Sequence, residues 1–323
     1  MPGRLATIDL NESAYAAARE KFERSLAISL QIGDRAGEAA TWHQLASIDL
    51  NESAYPAARE KFEKSLAIKQ QIGDSAGQAV THHQLASIDL DEGAYPAARQ
   101  KFARALAMRQ EIGDRAGEAA TWHQLASIDV HEVAYPAARE KFEKALATFQ
   151  QIGDRADEAA TWHNLATIDM REDAYPAARE KFGKALAMRQ QIGDRDGEAA
   201  TWHQLATIDV NEGAYPAARE KFEKALAIFQ QIGDRAGEAA TWFQLGQLAT
   251  RSGKPAEGLR MLALCYLIDR EIGHADAESD LNAVAQAAAG LNYTPDQLSA
   301  VLRRVGESYA NDRGAQLLKE AFD

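Results

Sequence analysis

Cysteine is almost missing from this chain. One residue, Cys265, stands in 323, so no intramolecular disulfide can form, and the lack of a cysteine framework points to a reducing compartment, the cytoplasm. Long apolar runs are missing too: none approaches the roughly 20 residues that a membrane-spanning helix needs. The start, Met1-Pro2-Gly3-Arg4, has no basic segment followed by an apolar core, so no export signal is expected. Positive charge is short, with 36 Lys and Arg against 48 Asp and Glu and a net charge of −12. That disfavours nucleic acid, whose affinity for proteins comes largely from clustered Lys and Arg, and a basic or neutral protein segment suits such a surface better. No Gly-x-x-x-x-Gly-Lys-Ser/Thr loop, Gly-x-Ser-x-Gly elbow or His-Glu-x-x-His helix occurs. Neither catalysis nor a cofactor is therefore expected.

What is present is repetition. Trp42, Trp122, Trp162, Trp202 and Trp242 stand 40 residues apart or at multiples of 40, with His82 in the Trp position of one copy. Residues 41–240 form five near-identical copies. Residues 1–40 form an incomplete copy lacking its beginning, and 241–280 a diverged one. A period of this length marks units that bury their apolar face only against their neighbours. Within a unit, Trp42, Leu45, Ala46 and Asp49 follow i, i+3, i+4, i+7 spacing, which predicts a helix. A second helical stripe follows in Tyr55, Ala58, Phe62, Ser65, Leu66 and Ile72. Pro56, repeated as Pro96, Pro136, Pro176 and Pro216, falls in the first turn of that second helix, where its missing N–H costs little. Gly73 then stops the second helix and Asp74 caps the next first helix.

Trp42, Leu45, Ala46, Tyr55, Ala58, Phe62 and Ser65 reproduce the signature spacing of the tetratricopeptide repeat, which the chain resembles from about Leu5 to Asp280. The unit is six residues longer than the usual 34, and Asp49 stands where the family has an aromatic residue. With its Ile-Gly-Asp-Arg-Ala-Gly-Glu-Ala linker (Ile112–Ala119), it is similar to the long-repeat branch that includes the kinesin light chain, spindle-orientation scaffolds and sensor regions of bacterial signalling ATPases. The resemblance implies an all-α, right-handed superhelical solenoid of antiparallel helix pairs, its concave wall lined by the first helix of each unit. Residues 281–323 break the pattern and read as capping helices, around Leu281–Ala289, after Thr294-Pro295, and at Ala315–Phe322. Leu298, Val301, Leu302 and Val305 form the stripe that closes the last unit.

The face of the first helix turned away from the Trp42 stripe is the expected partner groove. It carries His43, His83, His123, His163 and His203; the amides Gln44, Gln84, Gln124, Asn164 and Gln204; and the hydroxyls Ser47, Ser87, Ser127, Thr167 and Thr207. At its end a column of changing charge, Asn51, Asp91, His131, Arg171 and Asn211, is placed to select the partner. Side-chain amides both donate and accept, which matches an extended peptide backbone. A second varying column, Lys69, Arg109, Phe149, Arg189 and Phe229, lies late in the second helix. The expected function is a protein-binding scaffold, the sensor end of a larger signalling protein being one form of it. The alternative is a self-associating structural protein joined through the incomplete first unit and its stripe around Tyr15, Ala18 and Phe22.

No metal site is expected. Successive histidines of the column stand on the order of 10 Å apart, given helix packing distances of 8–10 Å, whereas zinc needs each nitrogen at about 2 Å. Asp89-Leu90-Asp91-Glu92-Gly93 lacks the later ligands of a calcium loop and reads as a turn. Cys265 and His274 could be imagined as nucleophile and base, but Cys265 aligns with Ser65, Ala105 and Ala145, a small packing position. The recurring Asp49 opposes its helix dipole. It calls for a donor, either the Arg59, Arg99, Arg139, Arg179 and Arg219 column or a tryptophan N–H.

Overall fold

A computed structural model describes the backbone of residues 2–322 and the side chains of residues 15–322. Among the described residues there are sixteen helices and no strand: α1 (Pro2–Ile32), α2 (Arg35–Asn51), α3 (Tyr55–Gln71), α4 (Ser75–Asp91), α5 (Tyr95–Ile112), α6 (Arg115–His131), α7 (Tyr135–Ile152), α8 (Arg155–Arg171), α9 (Tyr175–Ile192), α10 (Arg195–Asn211), α11 (Tyr215–Ile232), α12 (Arg235–Arg251), α13 (Pro255–Ile272), α14 (Ala277–Gly290), α15 (Pro295–Asp312) and α16 (Ala315–Phe322). The chain forms two compact units, Met1–Thr161 and Trp162–Asp323.

The local punctuation explains the helix bounds. Pro56, Pro96, Pro136, Pro176 and Pro216 each open a second helix, their fixed φ suiting the first turn. Gly73 turns the chain at φ 74°, and Asp74 then accepts the Gly77 N–H at 2.8 Å, capping α4. The tight turn inside each pair needs a left-handed residue. Gly93 and Gly213 supply it freely, but Val133 holds the same position at φ 60°, a conformation that costs a β-branched residue about 1–2 kcal/mol.

The first unit departs from the repeat. The turn that precedes Tyr55 in the next copy has no counterpart before Tyr15, and α1 runs unbroken for 31 residues. Ala16 stands where the five near-identical copies have proline. Proline would clash with the carbonyl four residues back and push its predecessor out of the helical region. Alanine does neither, so the helix passes straight through.

Packing between successive copies follows one scheme. Phe62 (0% exposed) lies between Ala46 and Ala58 of its own copy and Leu85 and Ile88 of the next, and Phe102 repeats the arrangement with Ala86, Leu125 and Ile128. Each such ring contributes about 1.5–3 kcal/mol by leaving water. Trp42, Trp122, Trp162 and Trp202 are only half-buried, their outer faces covered by Lys64, Lys144, Lys184 and Lys224 with Nζ 4.5–4.9 Å from the ring centroid. Only Trp242 is fully buried. The turn between α15 and α16 lies on it so closely that a Cβ on Gly314 would come within 2.5 Å of its ring.

Buried carboxylates tie neighbouring pairs together. Asp129, 3% exposed, accepts from Arg99 of the preceding pair at 2.8 Å and from Lys141 of its own pair at 2.5 Å. Asp49 is held in the same way by Arg19 and Lys61, Asp89 by Arg59 and Lys101, and Asp209 by Arg179 and Lys221. The arginine donor is the expected one. The tryptophan N–H is not used for this purpose: Trp122 Nε1 donates to Glu118 at 3.3 Å. The diverged repeat has Ala249 in place of the aspartate, and Arg219 turns instead to the C-terminal helices, donating to the Phe322 carbonyl at 3.1 Å.

Those helices close the second unit. Thr294 and Gln297 form a capping box on α15, and Leu298, Val301, Leu302 and Val305 pack onto the core built from Trp242, Leu259, Met261, Leu264 and their neighbours.

Candidate partner-binding face

Spacing of four and seven residues places His43, Ser47 and Leu50 on one side of α2, with Gln44 and Asn51 beside them. The histidines lie deeper than a groove lining requires. His43, His83 and His123 in the first unit, and His163 and His203 in the second, are half-buried. Each stands edge-on to the phenylalanine of its own pair, Phe62, Phe102, Phe142, Phe182 and Phe222, at 5.0–5.1 Å between centroids. His43 Nδ1 also reaches Thr81 of the next first helix at 3.5 Å, and His203 Nδ1 reaches Thr241 at 3.3 Å. The column is therefore a joint between repeats as much as a surface.

Burial holds these imidazoles neutral. It pushes His43, His83, His123 and His203 down to about 4, with Lys69 adding repulsion at His43 and Arg109 at His83; His163, beside Arg189, goes down to about 3. Arg109 Nη1 lies 3.4 Å from His83 Nδ1 and Arg189 Nη1 lies 3.3 Å from His163 Nδ1.

The varying column late in the second helix proves to be a floor beneath the surface. Lys69 and Arg109 are 7% exposed, Phe149 1% and Phe229 5%. Lys69 donates to Thr81 at 2.9 Å, while Arg109 donates to the Gly117 carbonyl at 2.5 Å and to Thr121 at 2.7 Å. In the first unit this floor underlies an open depression of about 300 Å³ bordered by His43, Gln44, Lys69, Ile72, Asp74 and Val80. Burial lowers the Lys69 pKa, with Asp74 partly offsetting the shift.

The amides and hydroxyls lie on the face itself. Gln44 is exposed and Gln84, Gln124, Asn164 and Gln204 are half-buried; no described protein group engages the side chains of Gln44, Gln84, Gln124 or Gln204. The hydroxyls of Ser47, Ser87, Ser127, Thr167 and Thr207 each donate to the histidine carbonyl four residues back, at 3.0–3.1 Å. They keep only acceptor capacity for a partner. Asn51, Asp91, His131, Arg171 and Asn211 are all exposed, and His131 stacks on Tyr95 at 5.3 Å with an interplanar angle of 18°. Burial and then Glu92 raise the Asp91 pKa.

In the second unit, Thr207 and Asn211 share a depression of about 340 Å³ with Phe243, Gln244, Gln247 and Arg251. None of these four was among the residues expected from sequence. Register identifies the last three: Gln244, Gln247 and Arg251 occupy the columns of Gln204, Thr207 and Asn211 in the diverged copy.

The tetratricopeptide repeat model matches residues 37–111, 77–151, 117–191, 157–229 and 197–271. The chain belongs to the tetratricopeptide repeat family. No curated protein matches it. Several solved structures share the tetratricopeptide fold at low identity. BtubC (BKLC) from P. vanneervenii is 19% identical with a TM-score of 0.59, the match covering 68% of this chain and 92% of that one. Aspartyl phosphate phosphatase F from Bacillus subtilis is 15% identical with a TM-score of 0.65, covering 89% and 75%. A Rap protein complexed with competence and sporulation factor is 12% identical with a TM-score of 0.58, covering 79% and 76%. No described helix of this tetratricopeptide chain is long and apolar enough to cross a membrane.

Proposed function

We propose that the chain is a protein-interaction scaffold that binds an extended segment of a partner protein along the exposed face of its first helices. The observation that carries this reading is the amide column: a side chain with two donors and an acceptor recurs once per repeat and is left unengaged by the protein at Gln44, Gln84, Gln124 and Gln204. A buried tetratricopeptide core has no use for such a group, whereas an extended backbone pairs with it. Family membership and the complexed Rap protein lend support. The exposed column Asn51, Asp91, His131, Arg171 and Asn211 then selects among partners, and the net charge of −12 favours a basic or neutral segment. A cytoplasmic sensor role within a larger signalling protein agrees with this surface.

Each amide contributes about 0.5–1.5 kcal/mol net. Replacing Gln44, Gln84 and Gln124 together by Ala weakens partner binding by roughly 1.5–4.5 kcal/mol while the thermal transition stays in place, because none of the three belongs to the core. Calorimetry with a partner captured from the native host checks this. Unchanged affinity in a folded triple variant sinks the reading.

A second reading, self-association through the first unit, is favoured by one specific contrast. Ile28 is 57% exposed where its equivalent Ile68 is 6%, and Ile32 is 69% exposed; Phe22 is half-buried where Phe62 is fully buried. Replacing Ile28 and Ile32 by Lys lowers concentration-dependent association, as read by light scattering. A parent chain that is strictly monomeric at high concentration ends this reading.

A further inference from the structure

The diverged repeat changes four positions from apolar or capping residues to groups that can ligate a cation. Where the preceding copy has Ala225, Phe229, Asp234 and Ala240, it has Cys265, Asp269, His274 and Asp280. Cys265 and Asp269 are four residues apart on one face of α13, and Asp280 lies in the first turn of α14, which packs against α13. Folding brings one ligand atom of each, the thiol sulfur and two carboxylate oxygens, within 4.8 Å of one another.

All three side chains are more than nine-tenths buried, at 2%, 5% and 7% exposure, and Asp269 Oδ1 and Asp280 Oδ2 have no hydrogen-bond partner. The buried aspartates of the earlier repeats are treated differently. Asp49, Asp89, Asp129 and Asp209 each have an arginine and a lysine. No described lysine or arginine pairs with Asp269 or Asp280; the nearest basic group is His274, whose Nδ1 is 3.9 Å from Asp269 Oδ2. That nitrogen already accepts the Asp276 N–H at 3.3 Å, so the imidazole stands beside the cluster and not in it. Two buried carboxylates without a counter-charge carry a desolvation penalty that a cation would remove.

We propose that Cys265, Asp269 and Asp280 bind a divalent transition-metal ion of the zinc type, which fastens α14 and the C-terminal helices to the last repeat. One sulfur and two oxygens suit a borderline-soft cation, while magnesium and calcium prefer all-oxygen sets. Bonds of about 2.0–2.3 Å in tetrahedral geometry hold ligands roughly 3.3–3.8 Å apart, so the cluster closes by about 1 Å on binding, with water as the fourth ligand. Without a cation, burial raises the thiol pKa of Cys265 and pushes Asp269 up to about 6, with Asp280 adding to both shifts; binding deprotonates the thiol and releases its proton.

The test uses the full chain, stripped with EDTA and then titrated with ZnCl2 or CoCl2. One ion binds per chain, Co(II) develops a thiolate charge-transfer band in the near ultraviolet, and saturating Zn(II) raises Tm by several degrees. Cys265→Ser abolishes the cobalt band. Asp280→Asn, which keeps the shape and removes a buried charge, folds with an unchanged helical circular dichroism spectrum and loses both the band and the rise in Tm. Failure of the stripped parent chain to bind either ion saturably overturns the proposal, as does equal binding by folded Asp280→Asn. A rise in Tm on mild acidification that metal does not alter also overturns it, because the two carboxyls would then share a proton and need no ion.

Discussion

Replacing Asp129 by Ala lowers the unfolding free energy by about 3–5 kcal/mol, the range found when one member of a buried ion pair is removed. Asp129 bridges three helices: Arg99 reaches it from α5 at 2.8 Å and Lys141 from α7 at 2.5 Å, while the carboxylate itself, on α6, is 3% exposed. Its loss leaves two cations facing each other across the joint between repeats. Arg99 keeps one partner, Glu132 at 2.6 Å, but that pair is largely solvent-exposed and contributes little, about 0–1 kcal/mol. Urea unfolding of Asp129→Ala, and of the double variant with Arg99→Ala, separates the network from its parts. The double variant loses less than the sum of the two single losses, because removing one cation relieves the repulsion left by removing the anion. A single-variant loss below about 1 kcal/mol would show that the bridge is decoration on an already stable joint.

The same bridge shows how much the sequence made legible. The recurring aspartate against its helix dipole signalled a buried partner, and the arginine column was its first candidate. Lys61 and its equivalents went unseen because a residue twelve positions on, across a tight turn, comes near only once the hairpin is built. Helix bounds were legible because proline, glycine and Asp caps act locally. The unbroken α1 follows from one missing proline, Ala16, which is visible in the sequence but matters only in competition with the turn. The half-exposure of the tryptophans depends on where the lysines of the following helix project. Trp242 differs because the C-terminal helices happen to cover it. The histidine column was read as groove lining from i, i+4, i+7 spacing. Such spacing cannot tell an open face from the crevice beside the next repeat, and Thr81 and Thr241 settle the matter only in three dimensions. Of the expected site, the amides and the Asn51, Asp91, His131, Arg171 and Asn211 column lie on accessible surface, as a partner-binding role requires.

Those histidines make the fold acid-labile well above the range in which ordinary carboxylates titrate. An imidazole free in the unfolded chain takes up its proton near 6.5, whereas burial holds the folded ones down at about 4, and at about 3 for His163. The folded-state value is depressed, so the unfolded state binds more protons as pH falls. The stability is complete above about pH 6.5, declines as pH drops below that, and is fully lost near the folded-state values. Discounted for their partial exposure, the five contribute roughly 1 kcal/mol each between pH 7 and pH 5, about 5 kcal/mol in all if they act independently. Urea midpoints across that interval measure the loss, with pH 5 as the lower limit so that carboxylates of ordinary pKa stay ionised. Phe243 occupies the histidine position in the diverged repeat, so His→Phe is a replacement this fold already accepts. Converting His83 and His123 to Phe removes about two-fifths of the contribution of these five and leaves the helical content unchanged. His83→Phe also removes the ring nitrogen 3.4 Å from Arg109 Nη1, which still has the Gly117 carbonyl at 2.5 Å and Thr121 at 2.7 Å, so the guanidinium stays in place. An acid slope identical in the parent and the double variant would assign the lability to other groups and remove the histidines from the account.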